Sequence, residues 1–262
     1  MRRFNWGVLF AILMYVFILT PFVVILYASF SDSALITVPP KGLSLRWYRQ
    51  ILLEGRYIPE LITSLEVGAA STLISSVIGI LASIALARYN FPGRDVISSI
   101  LLAPLMVPVV LIGVALLQFY SVTKIGLNLP SMIMAHAVMT APYVVRTVTS
   151  TMKGFNESLE EAAMNLGANW IQAFTQVTLP IMMPGIFSGA MFAFITSFGD
   201  SVVSLFLSSP SVVTLPVKVF TDIMWNFEPA IAAISALTSV LAIGGVLAIY
   251  AIQGASAFVS KQ

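Results

Sequence analysis

Six separate stretches of this chain are long and apolar enough to cross a hydrocarbon core, and no water-soluble domain can hide them all. A crossing takes roughly 20 residues, and the candidates run 7–30, 61–87, 96–120, 130–150, 185–207 and 230–253. Backbone amides and carbonyls in lipid must be satisfied inside the segment, so each stretch is expected to be an α-helix. The expected fold class is therefore an all-α membrane protein of six transmembrane helices, with residues 1–262 forming one domain. The composition agrees: 58% of the residues are hydrophobic and 9% charged, far from the balance of a soluble domain. A net charge of +2 is too small to argue for a nucleic-acid partner, and the absence of cysteine excludes disulfides and thiol chemistry.

An even number of crossings returns both termini to one side. Lys and Arg vote only weakly on which side it is. Arg2, Arg3, Arg88, Arg94, Arg146, Lys153 and Lys261 stand against Lys41, Arg46, Arg49, Arg56, Lys124 and Lys218, seven against six. The arginines before the first span and the short basic loop 88–95 tip the reading toward cytoplasmic termini, since charges beside the first spans weigh most. The run from Gly7 is too long for a signal-peptide core and lacks a cleavage site, so it reads as a retained span. Leu45-Arg46-Trp47-Tyr48, in the first outer connection, suits the membrane interface. Prolines at 104, 108 and 142 interrupt the third and fourth spans. Small residues stud the second (Gly68, Ser71, Ser75, Gly79) and the fifth (Gly185, Gly189, Ala193). These permit close helix approach, in a static bundle or in a moving gate.

The segment 151–184 fits no span. Lys153, Glu157, Glu160 and Glu161 keep it in water, yet Leu159, Ala162/Ala163 and Leu166 recur at the spacing of an amphipathic helix. Trp170, Phe174 and Val177 repeat that spacing beyond Gly167. Ser158 with Glu161, and Asn169 with Gln172, predict two capping boxes. Gly167 is placed for a left-handed helix end. The expected element is a helix-turn-helix lying on the membrane surface.

Glu161-Ala162-Ala163, Gly167, Val177 and Leu179-Pro180 resemble the signature loop of bacterial ABC importer permeases, with Val177 where that family has Ile. Further stretches are similar to the spermidine/putrescine-type branch: Ser29-Phe30-Ser31, Leu45-Arg46-Trp47-Tyr48, 87–93 and Thr214-Leu215-Pro216. The resemblance implies a type I ABC importer permease fold in the bacterial inner membrane, with a cytoplasmic coupling helix. Glu160, Glu161, Ala162, Ala163, Leu166 and Gly167 would then meet the ATPase. It also implies two ATPase subunits, a second permease (a sister or an identical copy) and a periplasmic or lipid-anchored solute-binding protein. ATP would be bound by the partner, leaving this chain without a cofactor and without enzymatic activity. The branch has an acidic pair in the fifth span, whereas this chain reads Phe198-Gly199-Asp200 and keeps one acid. The resemblance thus implies a polyamine or related organic cation as the cargo, or else an opine-like, phosphonate or amino-acid-like solute.

Charge at membrane depth costs roughly 2.5–3.5 kcal/mol and persists mainly for a use. Asp200, with Ser197 and Ser201 nearby, and Glu66 stand in the outer halves of their spans. There they can line a cation route, although Glu66 can equally reach the interface. Arg146 reads as reaching the inner headgroups, and the lone His136 as an interhelical contact. The ligand set for a metal is missing. The chain also lacks a phosphate-binding Gly-Lys-Ser/Thr loop. A secondary transporter or an intramembrane hydrolase would leave the 151–184 loop unexplained.

Overall fold

Small side chains on two helices let them close on a third, and that arrangement organises the larger part of the molecule. The computed structural model describes residues 6–33, 39, 42–225 and 228–259, with side chains as far as 245. Arg2, Arg3, Lys41 and Lys261 lie outside the described residues. The chain divides into two compact units, Glu60–Val217 and Met1–Pro59 with Lys218–Gln262.

In the larger unit the central element is α6 (Leu129–Met152), flanked by α3 (Ile58–Arg88) and α9 (Leu179–Gly199). Gly68, Ser71, Ser75, Gly79 and Ser83 form one buried stripe on α3. Ser75 Oγ donates to the Ala137 carbonyl at 3.0 Å, and Ser83 Oγ to that of Val145 at 3.1 Å. From the other side α9 applies Gly185, Gly189 and Ala193, all buried. A Cβ at Gly189 would stand 2.8 Å from Val144 Cα, so only hydrogen fits there. Polar bonds between membrane helices contribute about 0.6 kcal/mol each, so close packing carries most of this association.

Two apolar clusters sit along α6. One, near its start, joins Met132, Ala135 and Met139 to Val67, Val203 and Leu207. The other, near its end, joins Val144, Val148 and Met152 to Met182 and Ala193. Because protein covers α6, it can carry His136, four interior threonines and Pro142 without facing lipid with them.

Three departures from the sequence reading follow. The span expected over 96–120 is broken: α4 (Arg94–Leu102) and a 3-10 turn (Ala103–Leu105) meet α5 (Val109–Thr123) at 103°. Pro104 and Pro108 explain the break, since each lacks an amide and crowds the preceding turn. The fifth crossing starts earlier than residue 185. From Trp170 the helix α8 (Trp170–Ala173) passes through a π-helical turn (Phe174–Thr178) into α9 and forms one 30-residue rod. It also ends earlier than residue 207. The helix stops at Gly199, Asp200 is extended, and α10 (Val202–Leu207) begins again.

Among the described residues, three helices are long and apolar enough to cross a membrane by length and composition, and the bent pair makes a fourth.

The smaller unit contains α1 (Trp6–Ala28), α2 (Arg46–Leu53), most of α11 (Leu215–Trp225) and α12 (Pro229–Val259). Along α1 only Ala28 is buried, which leaves an apolar surface suited to lipid. Trp47 does not behave as an interfacial anchor. It is buried, and its indole N–H donates to the Ser31 carbonyl at 2.8 Å. Arg56 bonds Glu228 at 2.8 Å, while Tyr57 and Lys218 both donate to the buried Asp222.

Candidate functional site

Two places combine polar chemistry with defined geometry: the surface turn around Gly167 and a polar band across α6. At the first, α7 (Ser158–Asn165) ends as the sequence predicts. Gly167 takes φ +97°, where a side chain is strained. Its amide donates to the Met164 carbonyl at 2.9 Å, and that of Ala168 to Ala163 at 3.1 Å. This is the paired closure of a glycine-terminated helix. The next helix opens on a complete capping box, in which Asn169 and Gln172 exchange side-chain-to-amide bonds, both 2.9 Å. The box expected of Ser158 and Glu161 does not form. The Ser158 amide instead takes the Asn156 carboxamide oxygen at 3.1 Å. Asn156 reaches that donor first, which shifts the helix start back and leaves Glu161 without a capping task.

The apolar stripe of α7 faces outward. None of its residues is buried, and Leu166 is 90% exposed and Trp170 71%. Glu161, Ala162 and Gly167 are exposed with them, while Ala163 is half-buried. Glu160 differs from its neighbour. It turns inward, its side chain 14% exposed, and meets the guanidinium of Arg88 at 2.6 Å. Arg88 also donates to Thr178 Oγ1 at 3.1 Å, and that hydroxyl donates to the same Glu160 oxygen. The three residues come from the end of α3, from α7 and from the π-helical turn leading into α9. Burial alone would raise the Glu160 carboxyl, but the bonds from Arg88 and Thr178 outweigh it and hold the group below the usual carboxylate range. Sequence reasoning placed Glu160 in the loop but missed Arg88 and Thr178. The available signal was an arginine closing a span at the level of the acidic helix.

The second place is a row of side chains joining four helices, α3, α9, α6 and α10. Ser71 Oγ lies 3.0 Å from Ser197 Oγ, Ser197 2.8 Å from His136 Nδ1, and His136 Nε2 3.1 Å from Ser204 Oγ. A neutral imidazole donates from one nitrogen and accepts at the other, so His136 joins two hydroxyls of opposite role. It is the interhelical contact that the sequence suggested.

Asp200 stands at the break between α9 and α10. Its carboxylate accepts the amides of Ser204 at 2.8 Å and Val203 at 3.4 Å, and lies 3.8 Å from His136 Nε2. It thus caps the start of α10. Ser197 belongs to this row and Ser201 adjoins Asp200, but Glu66 is exposed on α3 and lies outside it.

Among the described residues there is no cluster of three His, Asp or Glu side chains able to hold a metal.

Residues 75–257 match the family described as binding-protein-dependent transport system inner membrane component. The chain is 31% identical over 242 residues to the putrescine transport system permease protein PotI of Escherichia coli K12, covering 90% of this chain and 86% of that protein. It is 30% identical over 243 residues to the spermidine/putrescine transport system permease protein PotC of Haemophilus influenzae, covering 93% and 94%. A chain in the crystal structure of a bacterial ABC transporter that imports the acidic polysaccharide alginate shares the fold. The TM-score is 0.72 at 16% identity, with 95% of each chain covered.

Proposed function

The chain belongs to the family of binding-protein-dependent transport inner membrane components, and from that membership we propose that the surface around Glu161 and Leu166 is where its ATPase subunit docks. The protein is a permease subunit of an ABC importer, and ATP hydrolysis falls to separate subunits. Leu166, 90% exposed beside Glu161 and the helix end at Gly167, carries the docking reading. An apolar side chain held outward on a capped helix, in a segment too polar for lipid, suits a groove on another protein.

The assembly would hold two ATPase subunits, this permease with a sister or a second copy, and a periplasmic or lipid-anchored binding protein. Nucleotide would be bound by the ATPases. Six crossings, counting the bent α4–α5 pair as one, would place both termini and the 151–184 segment in the cytoplasm. Movement of α7 would pass through the Glu160–Arg88–Thr178 contact to α3 and α9 together, the two helices that hold α6. ATP would thus bias one of two packings by contacts that differ between them.

The relatives named for putrescine and spermidine support a polyamine or related cation as cargo. Glu66 and Ser201 would meet it along the route, with Asp200 and Ser197 shaping the wall behind. An opine-like, phosphonate or amino-acid-like cargo is the second reading, favoured by Gly199 where the branch has the first of its two acids.

Glu161→Lys tests the docking surface. The variant should insert normally, fail to retain the ATPase on purification and lose about ten-fold or more of its solute uptake. Full uptake with the ATPase retained would remove the docking role.

A further inference from the structure

We propose that the cleft between α4 and the end of α6 is a binding site for an anionic phospholipid of the cytoplasmic leaflet. The cleft encloses about 650 Å³ and is lined by three cations, Arg94, Arg146 and Lys153, against one carboxylate, Asp95. Arg146, Ser150 and Lys153 recur at helical spacing and so share one face of α6. The Arg94 guanidinium donates to the Leu86 carbonyl at 2.8 Å and to the Asn90 side chain at 2.9 Å, both neutral, so its charge is not offset. Among the described residues no carboxylate lies within ion-pair distance of these three cations. The same wall presents Thr149, whose hydroxyl is buried without a hydrogen-bond partner. Three cations and a spare hydroxyl donor match a phosphodiester.

The opposite wall selects a lipid over a free anion. Leu102, Leu105 and Met106 line it, and Met106 is 88% exposed. The 103° break turns α4 away from the direction of α5. Along α4 nothing is buried, and Val96, Ile97 and Ile100 are exposed. An amphipathic helix of that kind lies in the interface, with its apolar side toward acyl chains. Basic pockets between membrane helices on the cytoplasmic side favour anionic headgroups by about 1 kcal/mol per Lys or Arg, about five-fold in affinity. The leaflet assignment rests on the cytoplasmic placement of this end of α6.

The test uses the intact importer, stripped of lipid in detergent and titrated under native mass spectrometry with phosphatidylglycerol, phosphatidylcholine and inorganic phosphate. Phosphatidylglycerol should bind preferentially. Arg146→Gln and Lys153→Gln should each weaken it about five-fold, and the double variant about twenty-five-fold. Thr149→Val, which keeps the volume, should weaken it while the complex elutes normally. Lys124→Gln, at the other end of α5, should change nothing. Equal affinity for the two lipids, or an unaltered double variant, would overturn the site. Inorganic phosphate binding as tightly as phosphatidylglycerol would make it a solute site and overturn the lipid. A cysteine at position 154, in a chain with no other, reports the placement separately. Labelling only from the outside would overturn the leaflet assignment.

Discussion

The seam around α6 and the surface of α7 use similar residues and treat them oppositely. Along the seam, Ser71, Ser75, Ser83, Thr140 and His136 all find partners within the chain. Glycines bring the backbones into direct contact there. On α7 Glu160 carries the side-chain hydrogen bonds to other helices, while Leu159, Glu161 and Leu166 are exposed. The seam is complete in one subunit, and under the proposed docking the surface would be finished by another chain. The two regions meet at Arg88, which closes α3 and grips α7.

Breaking the seam should have the largest effect. Gly189→Val would force a branched side chain against the Val144 backbone, overpacking that costs about 3 kcal/mol. Little folded subunit should survive detergent extraction, and a normal monodisperse yield would show that α6 and α9 can part cheaply.

Cutting the junction comes next. Arg88→Ala leaves Glu160 half-buried without its cation, a loss of about 3 kcal/mol confined to the α7 attachment. Uptake in vesicles should fall about 10–100-fold with the ATPase still bound. Unchanged uptake would show that force enters the bundle elsewhere.

A finer test separates charge from capping at Asp200. Asparagine caps a helix about as well as aspartate, whereas alanine costs about 1 kcal/mol. Asp200→Ala should therefore lower thermal stability measurably, and Asp200→Asn should not. Weaker uptake of a cation by Asp200→Asn would then report the charge itself.

Acid should have the smallest effect. Glu160 is held below the ordinary carboxylate range, which centres near 4.3. Its contribution is fully present above the ordinary value and is lost as pH falls through the lowered one. A spin label at position 165 should keep constant mobility from about pH 8 to 5 and loosen only in stronger acid. Loosening near neutrality would mean that the ion pair does not hold α7.

Much of this was legible because the relevant signals are local. Apolar length located the helices, Gly167 marked its turn, and Asn169 with Gln172 marked the next start. The interruptions were harder to read. Pro104 and Pro108 pointed to irregularity, but the angle between α4 and α5 depends on what each helix packs against. The stop at Gly199 was hidden because Val202–Leu207 continues the apolar run, and hydrophobicity does not register a broken axis. At the loop, Ser158 looked like a cap until Asn156, two residues earlier, supplied the oxygen. Arg88 and Thr178 escaped notice because they are 90 residues apart and gain meaning only by meeting Glu160. The apolar spacing of α7 was visible in the sequence, but periodicity alone does not say that Leu159 and Leu166 stay exposed in this chain.

The π-helical turn at Phe174–Thr178 sets the angular phase of everything before it. An extra residue in one turn rotates the preceding segment by about 100° about the helix axis. Deleting a single residue there would return the rod to regular α-helix. It would also swing Trp170 and the glycine turn round to another azimuth while α9 stayed seated. The aim of the glycine turn is thus adjustable by one codon, independently of the bundle packed around α6.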